Sequence, residues 1–353
     1  MGRALGAVAV AALALTVVAV TNDCIPAAPV LAAPEPPATG AAPPDTAAVV
    51  LVTIDGVRWQ EIFQGVDAAL AARARLGPSM ERGPRELLPN IHRLFFDGGT
   101  ALGDPRLSGG IEGSARRHMS VPGYVEISTG ASTDCVDNDC SPILGETLAD
   151  AVAGASGNPV GAAIFGSWSE ITRAAAAHPE RVFVRTGRAI AAEVPPFPGN
   201  DDYVPDRLTS ARALEYLRSA EPRLLWVALG DTDEWAHRGD YGGYLDALRA
   251  ADRFLGDLAD ELGHLGAYGE RTAVFVTADH GRDAGFVDHG GPASGPVWLL
   301  ARGPRVHRRG AMGTSRKRQL RDVAPTLRAV LGLPQRVCAA CGEPIAELLP
   351  GPP

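Results

Sequence analysis

The side chains best suited to chemistry in this sequence are acidic and histidine residues placed where apolar runs stop. The run Ala48–Ile54 ends at Asp55-Gly56, and Leu224–Leu229 ends at Gly230-Asp231-Thr232-Asp233. Thr272–Ala278 ends at Asp279-His280-Gly281. His237 follows Asp233 at i+4, a spacing that sets both side chains on one face of a helical turn, and His289 follows in the glycine-rich stretch Asp288-His289-Gly290-Gly291. A lone Asp in such a place is ordinarily a helix cap or turn former. Three such ends, two with a nearby His, are far less expected by chance. Carboxylates and imidazoles in this proportion suit zinc or manganese, whereas magnesium prefers oxygen alone. Asp231, Glu234 and Asp240 crowd the same stretch as Asp233, and Asp231 is the main rival ligand.

The segment Ser120-Val-Pro-Gly-Tyr-Val-Glu-Ile-Ser-Thr-Gly130 adds a hydroxyl. Ser followed by Pro two residues on, then a helix-compatible stretch, puts that hydroxyl at a helix N-terminus, where free backbone N–H groups favour an anion. Alone, such a Ser is more often a cap than a nucleophile. Beside a metal cluster the balance reverses. No histidine of the set is left to act as its base, so metal coordination is the activation the sequence offers.

These residues need a frame. Ala48–Ile54, Leu224–Leu229 and Thr272–Ala278 are continuous runs rich in Val, Ile and Leu, as buried parallel strands are. Weaker strands are expected at Val160–Phe165, Val182–Val184 and Val297–Ala301. Helical patterns lie between them, at Arg85–Phe96, Leu144–Val152, Asp206–Ser219 and Tyr244–Leu262. Strands alternating with helices mean an α/β fold, a mainly parallel central sheet flanked by helices on both faces. In such a sheet ligands bind beyond the carboxyl ends of the strands, so the acidic ends would converge on one crevice. With no internal repeat and no second break in composition, residues 48–349 form a single catalytic domain.

Composition narrows the function classes. Hydrophobic residues make 46% and charged residues 21% of the 353 residues, ordinary globular values that exclude wholesale disorder. The net charge of −8 argues against a dedicated nucleic-acid binder. Arg3 and the apolar run Ala4–Val20, leading into small residues at 28–33, form a targeting segment, residues 1–33. An uncleaved membrane anchor is the alternative, and lipidation at Cys24 has a poor cleavage box behind it. Residues 34–47 are an Ala/Pro-rich linker. Export, periplasmic or secreted, makes the cysteines candidate disulfides, Cys135 with Cys140 and Cys338 with Cys341. One zinc bound by all four is the alternative.

In order and spacing the motifs resemble the alkaline phosphatase superfamily, especially its type I phosphodiesterase/nucleotide pyrophosphatase and phosphoglycerate mutase-like branches. The resemblance runs from about Val49 to Leu333. It rests on Ile54-Asp55-Gly56 with Arg58-Trp59-Gln60-Glu61, Leu88-Pro89-Asn90, the Ser120 segment, Asp233-x-x-x-His237, Asp279-His280-Gly281, His289-Gly290 and Arg321-Asp322-Val323-Ala324-Pro325-Thr326-Leu327. It implies two divalent ions, zinc before manganese. Asp233, His237 and His289 would hold one, and Asp55, Asp279, His280 and Ser120 the other. Ser120 would attack phosphorus and form a phosphoserine. The partner implied is a small-molecule phosphate ester, with membrane contact only through an uncleaved N-terminal segment.

Two departures qualify the resemblance. The phosphodiesterase branch has Thr-x-Pro-Asn, and Gly123 stands in the place of that phosphoryl-holding Asn. Substrate contacts are therefore expected near Gly123 from Arg116 and Arg117, with His118 beside them. Sulfatases carry Cys/Ser-x-Pro-x-Arg, where this sequence has Tyr124, and commonly two Asp at the first strand end, where it has one. A sulfatase, or a binding protein that keeps the fold without catalysis, remains the alternative. His92, His178, His264 and His307 are expected to be structural, and Trp59 and Trp235 to be packing walls.

Overall fold

Three strands anticipated from their apolar runs form the centre of the molecule, each buried along its full length. The computed structural model describes residues 47–77, 82–157, 161–187 and 202–350, with Gly2. The described residues from 47 onward belong to one compact unit. The targeting segment 1–33, Cys24 and the linker up to residue 46 lie outside the described residues, Gly2 excepted. Among the described residues no helix is long and apolar enough to cross a membrane.

The strands are β1 (Ala48–Ile54), β2 (Thr100–Leu102), β3 (Ile111–Glu112), β4 (Ala162–Gly166), β5 (Phe183–Thr186), β6 (Leu224–Leu229), β7 (Thr272–Thr277), β8 (Pro296–Val297), β9 (Leu299–Arg302), β10 (Gly310–Ala311) and β11 (Arg318–Gln319). The main sheet has the order β10-β2-β9-β7-β1-β6-β4-β5, and a small sheet has the order β11-β3-β8. From β7 to β5 all pairs are parallel, while β9 runs antiparallel to both β7 and β2. This is the expected mainly parallel α/β sheet. Its register matters most. Ile54 stands opposite Leu229 and Thr53 opposite Thr277, so β1, β6 and β7 release their following residues at one edge.

The helices follow from local signals. Tyr241–His264 buries Tyr241, Tyr244, Leu245, Leu248, Leu255, Leu258 and Leu262 at helical spacing. Thr147 and Asp150 form a capping box, which starts the helix Leu148–Ser156 there and not at Leu144. The helix expected over Arg85–Phe96 is broken into Pro84–Leu87, Pro89–Ile91 and a wider turn over His92–Asp97. Pro89 explains the break, since it drives Leu88 out of helical geometry, to φ −130° and ψ 65°. The backbone N–H groups of Asn90 and Ile91 then donate to the Asp252 carboxylate. The strand expected over Val297–Ala301 splits at Trp298, whose indole N–H donates to the Val57 carbonyl at 3.0 Å. Residue 160, the expected start of β4, lies outside the described residues.

Cys135 is bonded to Cys140 and Cys338 to Cys341, the expected pairing. The first loop is tied to the body of the fold by the Arg173 guanidinium, which donates to the carbonyls of Asn138 and Cys140. Non-reducing peptide mapping of exported protein is expected to find both short-range bridges. Free thiols at all four positions, or one zinc shared among them, would count against that pairing.

Candidate metal centre

Asp55 leaves β1 with its Oδ2 accepting from the Tyr124 hydroxyl at 3.1 Å. The turn behind it needs Gly56, which has φ +65° and whose N–H donates to Asp279 Oδ1 at 3.1 Å. A Cβ there would lie 2.4 Å from Asp233 Oδ1. Asp233 and His237 sit on the short helix Asp231–His237 directly after β6. Asp279 and His280 follow β7, and His289 returns from the next loop.

Donor atoms from these elements converge. His237 Nε2 lies 3.0 Å from Asp233 Oδ2 and 3.1 Å from His289 Nε2. His280 Nε2 lies 3.1 Å from Ser120 Oγ, 3.3 Å from Asp279 Oδ2 and 3.4 Å from Asp55 Oδ1. Asp233, His237 and His289 form one group able to hold an ion, and Asp55, Asp233 and His280 form another. Asp233 therefore stands in both, where the sequence suggested separate sets with Asp279 in the second. Asp279 and Ser120 reach that second group through their contacts with His280 Nε2.

Hydrogen-bond bookkeeping shows that a cation fits. The Gly281 carbonyl lies 2.8 Å from His280 Nδ1 and can only accept, so the proton of this imidazole sits on Nδ1. Burial holds His280 neutral, well below its ordinary pKa. Its Nε2 lone pair then faces two carboxylate oxygens, Asp55 Oδ1 and Asp279 Oδ2, and neither of these buried atoms has a hydrogen-bond partner. His289 Nδ1 faces the His118 carbonyl at 3.1 Å, which leaves its Nε2 to accept from the His237 Nε2–H, since His237 Nδ1 faces the donor Arg282 at 3.4 Å. The Ser120 hydroxyl can satisfy the His280 lone pair, but the two carboxylate oxygens beside it stay unpartnered unless a positive charge lies between them. An Asp/His donor set of this kind suits zinc or another transition ion.

Charge tells the same story. Burial, then the charges of Asp279 and Asp233, pushes Asp55 well above the usual carboxylate range. Burial, then Asp233, raises Asp279 to about 8. Burial also works against ionising Asp233, yet Arg282 and then His237 hold that carboxyl well below its usual range. Arg282 was missed in the sequence. Its Nε donates to the Phe286 carbonyl at 2.8 Å, and its two terminal nitrogens donate to Asp233 Oδ1 and the Val287 carbonyl. No spacing rule separates it from the chain's many solvated arginines.

Ser120 is the first residue of the helix Ser120–Thr129, with Met119 as its cap. Gly123 is not among the residues that line the cleft beside Ser120. It lets this helix approach the end of β7, since a Cβ there would lie 2.4 Å from the Asp279 carbonyl oxygen. The cleft beside Ser120 is lined by Asp55, Ser120, Asn138, Trp168, Tyr203, Gly230, Asp233, Glu234 and His237. Arg116 and Arg117 are not among these residues. Arg117 lies instead near Gly290. Asn138, from the Cys135–Cys140 loop, accepts the Val121 N–H on Oδ1 at 3.0 Å, which leaves its amide NH2 as a donor beside Ser120. Asp231, the rival ligand, is occupied elsewhere, its Oδ1 accepting from the Tyr203 hydroxyl and the Asp206 N–H, each at 3.1 Å. Trp59 packs against the core, and Trp235 lies under the Arg238 guanidinium at 5.2 Å. Neither lines the cleft. His92 is buried against Phe96, at 4.0 Å between ring centroids.

Residues 204–335 match the sequence model of the Metalloenzyme superfamily. That span holds Asp233, His237, Asp279, His280 and His289, while Asp55 and Ser120 precede it. The 2,3-bisphosphoglycerate-independent phosphoglycerate mutase of Halobacterium salinarum is 33% identical over 127 residues, 34% of this chain and 23% of that protein. The chain spans between 23% and 30% of the length of the curated relatives it matches. In fold it is similar to a 2-O GAG sulfatase (TM-score 0.57, 13% identity, covering 86% of this chain and 74% of the other). It is also similar to the lipoteichoic acid synthase LtaP of Listeria monocytogenes (TM-score 0.58, 12% identity, 86% and 76%).

The shared position of Asp233 makes a sharp expectation. Purified protein should bind close to two transition ions per chain, His289→Ala should keep one, and Asp233→Ala should keep neither. Metal analysis of the three proteins checks this, and an Asp233→Ala protein that still held an ion at full occupancy would refute the shared-ligand geometry.

Proposed function

We propose that the chain is a member of the alkaline phosphatase superfamily, as its Metalloenzyme superfamily match over residues 204–335 and its fold support, and that it is a two-metal hydrolase of small phosphate esters with Ser120 as nucleophile. The observation that carries the reading is the position of the Ser120 hydroxyl. It lies 3.1 Å from His280 Nε2, at the edge of a donor cluster that lacks only positive charge. Two divalent ions bound there would neutralise the phosphoryl oxygens and lower the pKa of the hydroxyl. Zinc is the favoured ion, because three of the proposed ligands are imidazoles.

The chain's own residues then divide the work. Ser120 Oγ forms a bond to phosphorus as the ester P–O bond breaks, and the leaving alcohol takes up a proton. Water later cleaves the phosphoserine and frees phosphate. Asn138 offers its amide NH2 to a phosphoryl oxygen, the task for which the sequence suggested Arg116 and Arg117. Tyr124 and Arg282 hold Asp55 and Asp233 in place. Tyr124 occupies the position where sulfatases carry arginine, and its hydroxyl is committed to Asp55. That weighs against the second reading, a sulfate-ester hydrolase, which has a sulfatase among its fold neighbours in its favour. The two disulfides support an oxidising compartment, and with the targeting segment of the sequence they support an exported protein.

Ser120→Ala is expected to keep its metal and its fold and to lose p-nitrophenyl phosphate and bis-p-nitrophenyl phosphate hydrolysis by several orders of magnitude. Acid quenching of the wild type during turnover should trap phosphate on the peptide that holds Ser120. Near wild-type rates in Ser120→Ala would rule out the covalent route. Turnover of p-nitrophenyl sulfate in preference to both phosphates would establish the second reading.

A further inference from the structure

Asn138 stands in an irregular loop, on neither a strand nor a helix. A group that holds a phosphoryl oxygen must be placed closely, since a misplacement of about 1 Å can cost on the order of 10²-fold in rate. What fixes this loop therefore bears directly on the chemistry at Ser120.

The loop is fastened to the nucleophile's own helix. Asn138 Oδ1 accepts the Val121 N–H at 3.0 Å. Val121 is the second residue of the helix Ser120–Thr129, so its N–H has no acceptor within that helix, and Met119 supplies no side-chain cap. Asn138 thus caps the helix from outside it. The Arg173 guanidinium donates to the Asn138 carbonyl and, at 2.8 Å, to the Cys140 carbonyl, while Glu170 holds the same guanidinium by an ion pair. The Arg173 carbonyl accepts the Ile143 N–H at 3.3 Å. Arg173 lies on the helix Ile171–Ala175, and the carbonyl of Ala174 beside it accepts from the Ser128 hydroxyl at 2.7 Å. The path closes on itself, from Val121 through Asn138 and Arg173 to Ala174 and back to Ser128. Arg173 itself is not among the residues that line the cleft.

Resting on the reading of Ser120 as nucleophile and Asn138 as a phosphoryl contact, we propose that Arg173, with the Cys135–Cys140 bridge, positions the Asn138 amide against Ser120. The planar guanidinium reaches two carbonyls two residues apart, a fork that a lysine ammonium does not reproduce. The bridge ties the two ends of the same short loop together. With Oδ1 held by Val121, the amide presents its NH2 to the cleft in one orientation. The bridge then serves turnover at Ser120 as well as the stability of its own loop.

Two measurements on full-length, zinc-loaded protein test this. In bis-p-nitrophenyl phosphate hydrolysis, Asn138→Ala is expected to lower kcat/KM by about 10²-fold and Arg173→Met by about tenfold. Arg173→Met placed on top of Asn138→Ala should cost nothing further, because the group it positions is already gone. The Cys135→Ser/Cys140→Ser double variant should follow the same pattern, so the result does not hang on the folding of one variant. The second measurement needs no turnover. Amide hydrogen exchange at Val121, followed by NMR, should be faster in Arg173→Met, as in Asn138→Ala, while the amides of β1 keep wild-type protection. Losses that multiply in the combined variant, or unchanged Val121 exchange in Arg173→Met, overturn the inference and leave the hydrolase reading standing. If the wild type hydrolyses no phosphate ester, the hydrolase reading falls, and exchange at Val121 still decides whether Arg173 holds Asn138 in place.

Discussion

Uncompensated negative charge at one edge of a buried sheet is the constraint around which this protein is arranged. The parallel register of β1, β6 and β7 delivers Asp55, Asp233 and Asp279 to one place beneath the protein surface. Carboxylates brought so close in a poorly hydrated site cannot all stay ionised without a cation. Arg282 supplies one such charge from within the chain, and the orientation of His280 and His289 leaves room for the rest to come from bound ions. The glycines at 56 and 123 belong to the same arrangement, because each lets backbone approach where a methyl group would push the donors apart.

The fold does not by itself choose the chemistry. Its structural neighbours include a sulfatase and a lipoteichoic acid synthase, so a shared sheet is compatible with different esters. Discrimination has to come from the cleft walls. Here those walls are supplied largely by segments other than the ligand-bearing strand ends: the disulfide loop with Asn138, the stretch after β4 with Trp168, and the stretch before the helix Asp206–Ala220 with Tyr203. The edge that carries the metal-binding side chains and the facing cleft wall thus draw largely on different segments of the chain.

That separation governs how much the sequence revealed. Buried parallel strands announce themselves as unbroken apolar runs, and an Asp or His at the end of such a run has a predictable destination. β1, β6 and the ligands behind them were therefore legible residue by residue. Long amphipathic helices were legible as well, except where Pro89 broke the pattern and Thr147 moved a helix start. Asn138, Trp168, Tyr203 and Arg282 were not, because their residue types are ordinary and only tertiary folding brings them to the cleft. What Gly123 does was not legible either, because only the folded chain shows that it leaves space for the Asp279 carbonyl. Arg116 and Arg117 are not among the residues that line the cleft, and Arg117 lies instead near Gly290, next to His289.

Arg282 has a consequence for how the molecule comes into being. Its guanidinium is covalently part of the chain, so Asp233 has a partner from the moment β7 and the helix after β6 meet. Bound ions arrive only later and from outside. A centre that depended on them alone would have to collect its ligands and its metal in one concerted event. With one positive charge built in, the polypeptide can bring Asp233 into its sheet edge before any ion binds. Assembly of the polypeptide and acquisition of metal thereby become separable steps.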